Sequence, residues 1–116
     1  MRPRDWRIRI QDIVDAARKI IVHTGAMDFE AFEGDEWSID AALRNLTVIG
    51  EAAARIPDEV CAQYPEVPWR DMRDMRNIVV HEYFGVDLTI VWSTIREDLP
   101  ALIPQLEEIL QGNQDH

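Results

Sequence analysis

The stretch RNIVVHEY, Arg76 to Tyr83, sets an arginine five residues before a histidine and seven before a tyrosine. Those residue types can work on phosphate esters. A histidine takes and gives protons near neutral pH, and a guanidinium can grip two phosphate oxygens at once. Cleavage of RNA by its own 2′-hydroxyl asks for such groups: a base for the hydroxyl proton, an acid for the leaving 5′-oxygen, and positive donors for the charged phosphorane. One chain offers a single well-placed histidine, His81, whereas two subunits would offer a pair, with two copies of Arg76 to hold phosphate oxygens. Asn77 beside the arginine and Arg73 one turn earlier are supporting candidates for the same cleft.

Helical geometry limits how these groups meet. Each residue of a helix turns by about 100°, so Met72, Met75, Ile78 and Val79 fall on one arc, which the pattern assigns to the core. Arg73, Asp74, Arg76, Asn77, His81 and Tyr83 take the opposite half. Tyr83 lies almost above Arg76, but the five-residue step from Arg76 to His81 leaves them roughly 140° apart. They converge within one chain only through the reach of arginine or at a frayed helix end; otherwise they meet across a symmetry axis. Val80 and Phe84 place apolar surface within the polar half and so favour a two-fold dimer through this face. The same residues also read as the solvated side of an ordinary helix, and spacing alone does not separate the two readings.

The segments around this helix must position it. DWRIRIQDIVDAARKIIVHTG spaces Trp6, Ile10, Ile13, Ala17, Ile20 and Ile21 by threes and fours, an amphipathic helix ending at Gly25. MDFEAFEGDEW follows, a short turn or loop held down by Phe29 and Phe32. A third helix is expected from Ser38 or Asp40 to just before Pro57, with Gly50 inside it to permit close approach of another helix. PDEVCAQY makes a short helix. WRDMRDMRNIVVHEYF makes the next, ended by Gly85, and Asp87 caps DLTIVWSTIREDL. Pro100 and Pro104 are expected either to kink one long helix or to let a new helix start at Pro100 that tolerates Pro104 near its first turn, the second being favoured. With no strand alternation and no repeat, the pattern predicts an all-α, up-and-down bundle of four main helices with short additions, in one domain over residues 1–116.

Composition narrows the function. Net charge is −10, which argues against general affinity for phosphate backbones and makes any nucleic-acid role local. Eleven of the twelve basic residues are arginine, a bias toward planar, bidentate contacts. From Trp69 to Tyr83, Arg70, Arg73 and Arg76 balance Asp71, Asp74 and Glu82, so the helix has no basic surplus. The lone cysteine, Cys61, forms no internal disulfide and is expected to be a small buried residue. His23 and His116 stand far from His81, no ligand spacing for a metal occurs, and Gly34, Gly50 and Gly85 are too isolated for a phosphate loop. No metal or cofactor is expected. The opening MRPRDWRIRI is charged throughout and lacks a continuous apolar run, so no leader or membrane span is expected and the cytoplasm is the expected location.

GEAAARIPDEV, YPEVPW and RNIVVHEYFGVDLTIVWSTIREDLPAL together resemble the HepT-like branch of the HEPN superfamily, the toxin half of toxin and antitoxin pairs formed with minimal nucleotidyltransferases (MNT). The defining pattern of that family is an arginine, four residues, a histidine, one residue and a tyrosine, and Arg76, His81 and Tyr83 fit it without gaps. The resemblance implies a HEPN-like helical domain and a homodimer able to enter a larger hetero-oligomer with its antitoxin. It implies a metal-independent endoribonuclease acting on tRNA or mRNA, with Arg76 and His81 catalytic and Asn77 as the polar residue after the arginine. It also implies that a cognate nucleotidyltransferase neutralises the toxin by moving AMP from ATP to Tyr83. The alternative is a non-catalytic helical adaptor that binds a nucleotidyltransferase.

Overall fold

The computed structural model describes residues 3–83 and 88–114, with side chains from 6 to 77 and from 88 to 112. Its elements are α1 (Pro3–Thr24), α2 (Phe29–Glu33), α3 (Glu36–Ala54), α4 (Asp58–Gln63), α5 (Trp69–Tyr83), α6 (Leu88–Ser93), a π-helical turn (Thr94–Asp98) and α7 (Leu99–Gln114). Among the described residues there is no strand, and the chain folds as the all-α bundle expected from its periodicity. The expected stop at Gly85 and cap at Asp87 lie outside the described residues, as do Phe84 and His116.

The layout follows from which stripes are apolar. α1 buries Ile10, Ile13, Val14, Ala17 and Ile20, and α3 buries Leu43, Leu46, Ile49 and Ala53. α3 packs on α1 along one side and on α5 along another, while α7 closes against α1. Met72 and Met75 of α5, with Ile95, Leu99, Leu102 and Leu106 from the last rod, complete one continuous core. Burying such side chains stabilises the fold by about 1.5–3 kcal/mol each before conformational entropy is set against it. No helix among the described residues is long and apolar enough to cross a membrane.

Three local features depart from the expected pattern. α3 starts at Glu36, not at Ser38 or Asp40, because Asp35 caps it by accepting from the Trp37 N–H. Ser38 is turned inward, where its hydroxyl donates to Asp35 and lies 2.8 Å from His23 Nε2. The Ser38 hydrogen bond is also the main reason the Asp35 carboxyl sits below its ordinary pKa. Second, Pro100 does not begin a separate helix. α6 runs into the π turn, where the Leu99 N–H reaches back to Thr94 O, and on into α7, with Pro104 inside it. Pro100 has no N–H to donate and its ring crowds the preceding turn; widening that turn keeps one rod continuous. Third, Cys61 is only half-buried.

The two phenylalanines do hold α2 down. Their rings stand 6.2 Å (Phe29) and 5.0 Å (Phe32) from Trp92, and Arg96 covers the Trp92 ring at 4.4 Å. Arg96 also donates to Thr24 O and Met27 O, which ties the α1–α2 corner to the π turn.

Candidate functional site on the fifth helix

α5 begins where Pro68 has no N–H to place in a ladder and its carbonyl accepts from Met72 N–H. Trp69 is buried and donates its indole N–H to Tyr64 O at 3.0 Å, which fixes the direction in which the helix leaves the turn. Met72 and Met75 are fully or almost fully buried, while Asp74, Arg76 and Asn77 are exposed. The core-facing arc is thus observed as far as its side chains are described; Ile78, Val79 and Val80 lie beyond them.

The helix continues unbroken through Tyr83, so no helix end falls between Arg76 and His81. Of the ways in which those two residues could converge, the reach of the arginine and a second copy remain. The side chains of His81 and Tyr83 lie outside the described residues. Arg76 makes no ion pair or side-chain hydrogen bond among the described residues, and it is exposed on α5.

Arg73 is placed differently. Its Nε donates to Ala53 O at 3.4 Å, near the end of α3, a carbonyl that also accepts from the Ile56 N–H at 3.2 Å. One terminal nitrogen lies 3.4 Å from Cys61 Sγ and 3.9 Å from an Asp58 carboxylate oxygen. Burial pushes the Cys61 thiol above its ordinary pKa, with the Arg73 charge partly opposing it. Arg73 therefore joins α5 to the end of α3 and the start of α4. Of the other histidines, His23 is taken up by Ser38 at the α1–α3 corner.

The charges that cancel along α5 in sequence are sorted to different sides in space. Asp71 and Asp74 turn toward the last rod and, with Glu97 and Asp98, rim a groove of about 400 Å³ floored by Met72, Met75, Ile90 and Leu102. Burial, then the nearby charges of Glu97 and Asp71, raise the Asp98 carboxyl above its ordinary pKa. Four carboxylates on one rim repel a phosphate, so an RNA strand has no favourable seat there. Among the described residues no group of three or more His, Cys, Asp or Glu side chains could hold a metal ion.

The family model described as "Ribonuclease HepT-like" matches residues 13–109, a span that contains the whole of this helix. A protein of Thermococcus cleftensis named "Probable ribonuclease HepT" is 39% identical over 100 residues, covering 86% of this chain and 91% of its own length. Two relatives carry the name "Putative RNase". One, from Methanocaldococcus jannaschii, is 35% identical over 111 residues (96% of this chain, 92% of its own); the other, from Caldanaerobacter subterraneus, is 36% identical over 102 residues (88% and 91%). No solved structure matches the chain.

Proposed function

The chain belongs to the HepT-like ribonuclease family, and on that premise we propose that it is a metal-independent endoribonuclease, the toxin of a pair with an MNT-type nucleotidyltransferase. Arg76 and His81 of two subunits form the composite site. One His81 takes the proton of the 2′-hydroxyl as its oxygen attacks phosphorus; the other gives a proton to the departing 5′-oxygen, leaving a 2′,3′-cyclic phosphate. The two Arg76 guanidiniums hold the non-bridging oxygens as charge builds on them. Asn77 supports the site from the same exposed face, and Arg73 supports it from behind by fastening α5 to α3. The observation that carries this reading is the exposed Arg76, without an ion pair among the described residues, on an unbroken helix that also bears His81 and Tyr83.

Control by the partner uses Tyr83. Its phenol oxygen attacks the α-phosphorus of ATP, an O–P bond forms, pyrophosphate leaves, and the tyrosine carries AMP. Seven residues place Tyr83 on the Arg76 stripe, where the added phosphodiester would fill the phosphate seat and repel RNA. A Tyr83→Phe protein treated with the cognate partner and ATP should gain no mass; AMP addition to that variant would rule Tyr83 out as the sole acceptor.

For the nuclease itself, Arg76→Ala and His81→Ala should each cut RNA cleavage by about 10²–10³-fold and relieve growth inhibition while leaving a folded dimer by light scattering. Equal cleavage by His81→Ala would sink the mechanism. The adaptor reading keeps one observation in its favour, the balanced charge of α5, since a strong RNA binder carries a basic excess. An adaptor would tolerate loss of His81 and still bind its nucleotidyltransferase.

A further inference from the structure

Gly50 sits in the middle of α3, where glycine weakens a helix relative to alanine, so its presence calls for a gain elsewhere. The surroundings supply one. A methyl group at Gly50 would lie 2.9 Å from the backbone nitrogen of Arg76, 3.1 Å from its Cβ and 3.2 Å from the Arg73 carbonyl oxygen. Two of those three atoms are backbone and the third is fixed to it, so no side-chain rotation relieves the contact. The helices themselves would have to separate or slide. Gly112 on α7 makes the contrast, since a methyl group there would meet nothing within 4 Å.

Resting on the ribonuclease reading above, we propose that Gly50 is a positioning residue for the Arg76–His81 site. The bare backbone at this position sets how deeply α5 seats on α3, and therefore where the Arg76 guanidinium and, further along the same rod, His81 are presented. The contact falls at Arg76 itself. One turn earlier, Arg73 fastens α5 to Ala53 O, so the site arginine stands at the second of two successive anchors to α3. Beyond it the helix runs on to Tyr83, and a shift at Arg76 is carried along that rod. In a two-fold site the error enters twice, once from each subunit.

Stability and activity respond differently to a methyl group here. Alanine improves the intrinsic helix preference of α3 while overpacking its seat, so the two effects on stability oppose each other. Misplacement of Arg76 has no such compensation. Errors of about 1 Å in a reacting constellation can cost on the order of 100-fold in rate.

The test uses full-length wild type, Gly50→Ala and Gly112→Ala. It measures steady-state cleavage of one RNA oligonucleotide, thermal unfolding, and backbone amide resonances of isotope-labelled protein. The expected result is a kcat about 10- to 100-fold lower for Gly50→Ala with KM changed by only about 2- to 3-fold, and wild-type kinetics for Gly112→Ala. Amide resonances of residues 73–83 should move in Gly50→Ala and stay in place in Gly112→Ala. An active wild type alongside a Gly50→Ala protein of unchanged kcat overturns the positioning role and leaves the ribonuclease reading intact. A wild type that cleaves nothing overturns the ribonuclease reading, and the positioning role falls with it. If Gly50→Ala does not fold, Arg73→Gln loosens the same seat without adding volume; reduced kcat at held KM supports the proposal, and unchanged kcat overturns it.

Discussion

On the side of α5 that meets α3, Gly50 lets the backbones approach to the distance of a missing methyl group, and Arg73 reaches across to Ala53 O. On the side that meets the rod from Leu88 onward, Asp71 and Asp74 look over an open groove toward Glu97 and Asp98. One flank is closed by backbone contact and a charge-assisted hydrogen bond. The other is an open groove lined by four carboxylates that repel any phosphate. The helix is thus fixed along α3, where Asp58 lies 3.9 Å from Arg73, and the side with four carboxylates is left open.

The comparison can be broken in several places. Arg76→Ala should give the largest effect, a loss of about 10²–10³-fold in kcat, equivalent to ~3–4 kcal/mol, with Tm almost unchanged because the side chain is exposed; a large fall in Tm would mean that Arg76 belongs to the closed flank as a structural group. Met72→Ala removes a fully buried side chain shared by the core and the groove floor, and should cost about 3 kcal/mol in denaturant unfolding. A cost under about 1 kcal/mol would show that the groove collapses to fill the space.

Smaller effects sharpen the contrast. Arg73→Ala should lower stability by about 0.5–1 kcal/mol, since Ala53 O loses a charged donor at the end of α3 but keeps the Ile56 N–H. Wild-type stability would place the Arg73 guanidinium outside the fold and free for RNA. Asp98→Asn is expected to raise Tm at pH 7 by less than about 2 °C, because desolvation and repulsion from Glu97 and Asp71 cost little at an exposed site. The sign follows from its raised carboxyl: the folded state favours the protonated form, so the stabilising contribution is present below the unfolded pKa and disappears as pH rises through the folded one. At neutral pH the charge is a cost, and the gain from asparagine should fade as pH falls below the carboxyl's ordinary pKa. A gain that persists at low pH would deny that the charge on Asp98 is the cost.

Much of this arrangement was legible in the residues, for reasons that differ by position. The core stripe of α5 could be read because Met72 and Met75 repeat at helical spacing, and the close approach at Gly50 because a glycine in a helix interior needs a reason. The seat of Arg73 could not. It depends on where the end of α3 falls in space, and Ala53 and Arg73 are twenty residues apart. Helix wheels also hid the sorting of charge, since Asp71 and Asp74 are separated from Arg73 and Arg76 by what packs on each side and not by sequence distance. At Ser38 the cap signal was real but one turn late: Asp35 caps, and Ser38 is drawn inward to His23. The continuous rod through Pro100 was the less favoured of two readings, because a π turn leaves no mark in composition.

The central claim is that RNIVVHEY carries a nuclease site needing no metal. The most direct measurement is cleavage of a defined RNA pool by unmodified wild-type protein in EDTA, run beside His81→Ala, with the product ends mapped. The account predicts cleavage that survives the chelator, is lost in the variant and leaves 2′,3′-cyclic phosphate ends. Absence of cleavage by dimeric, unmodified protein would contradict it and return this helix to the role of a partner-binding face.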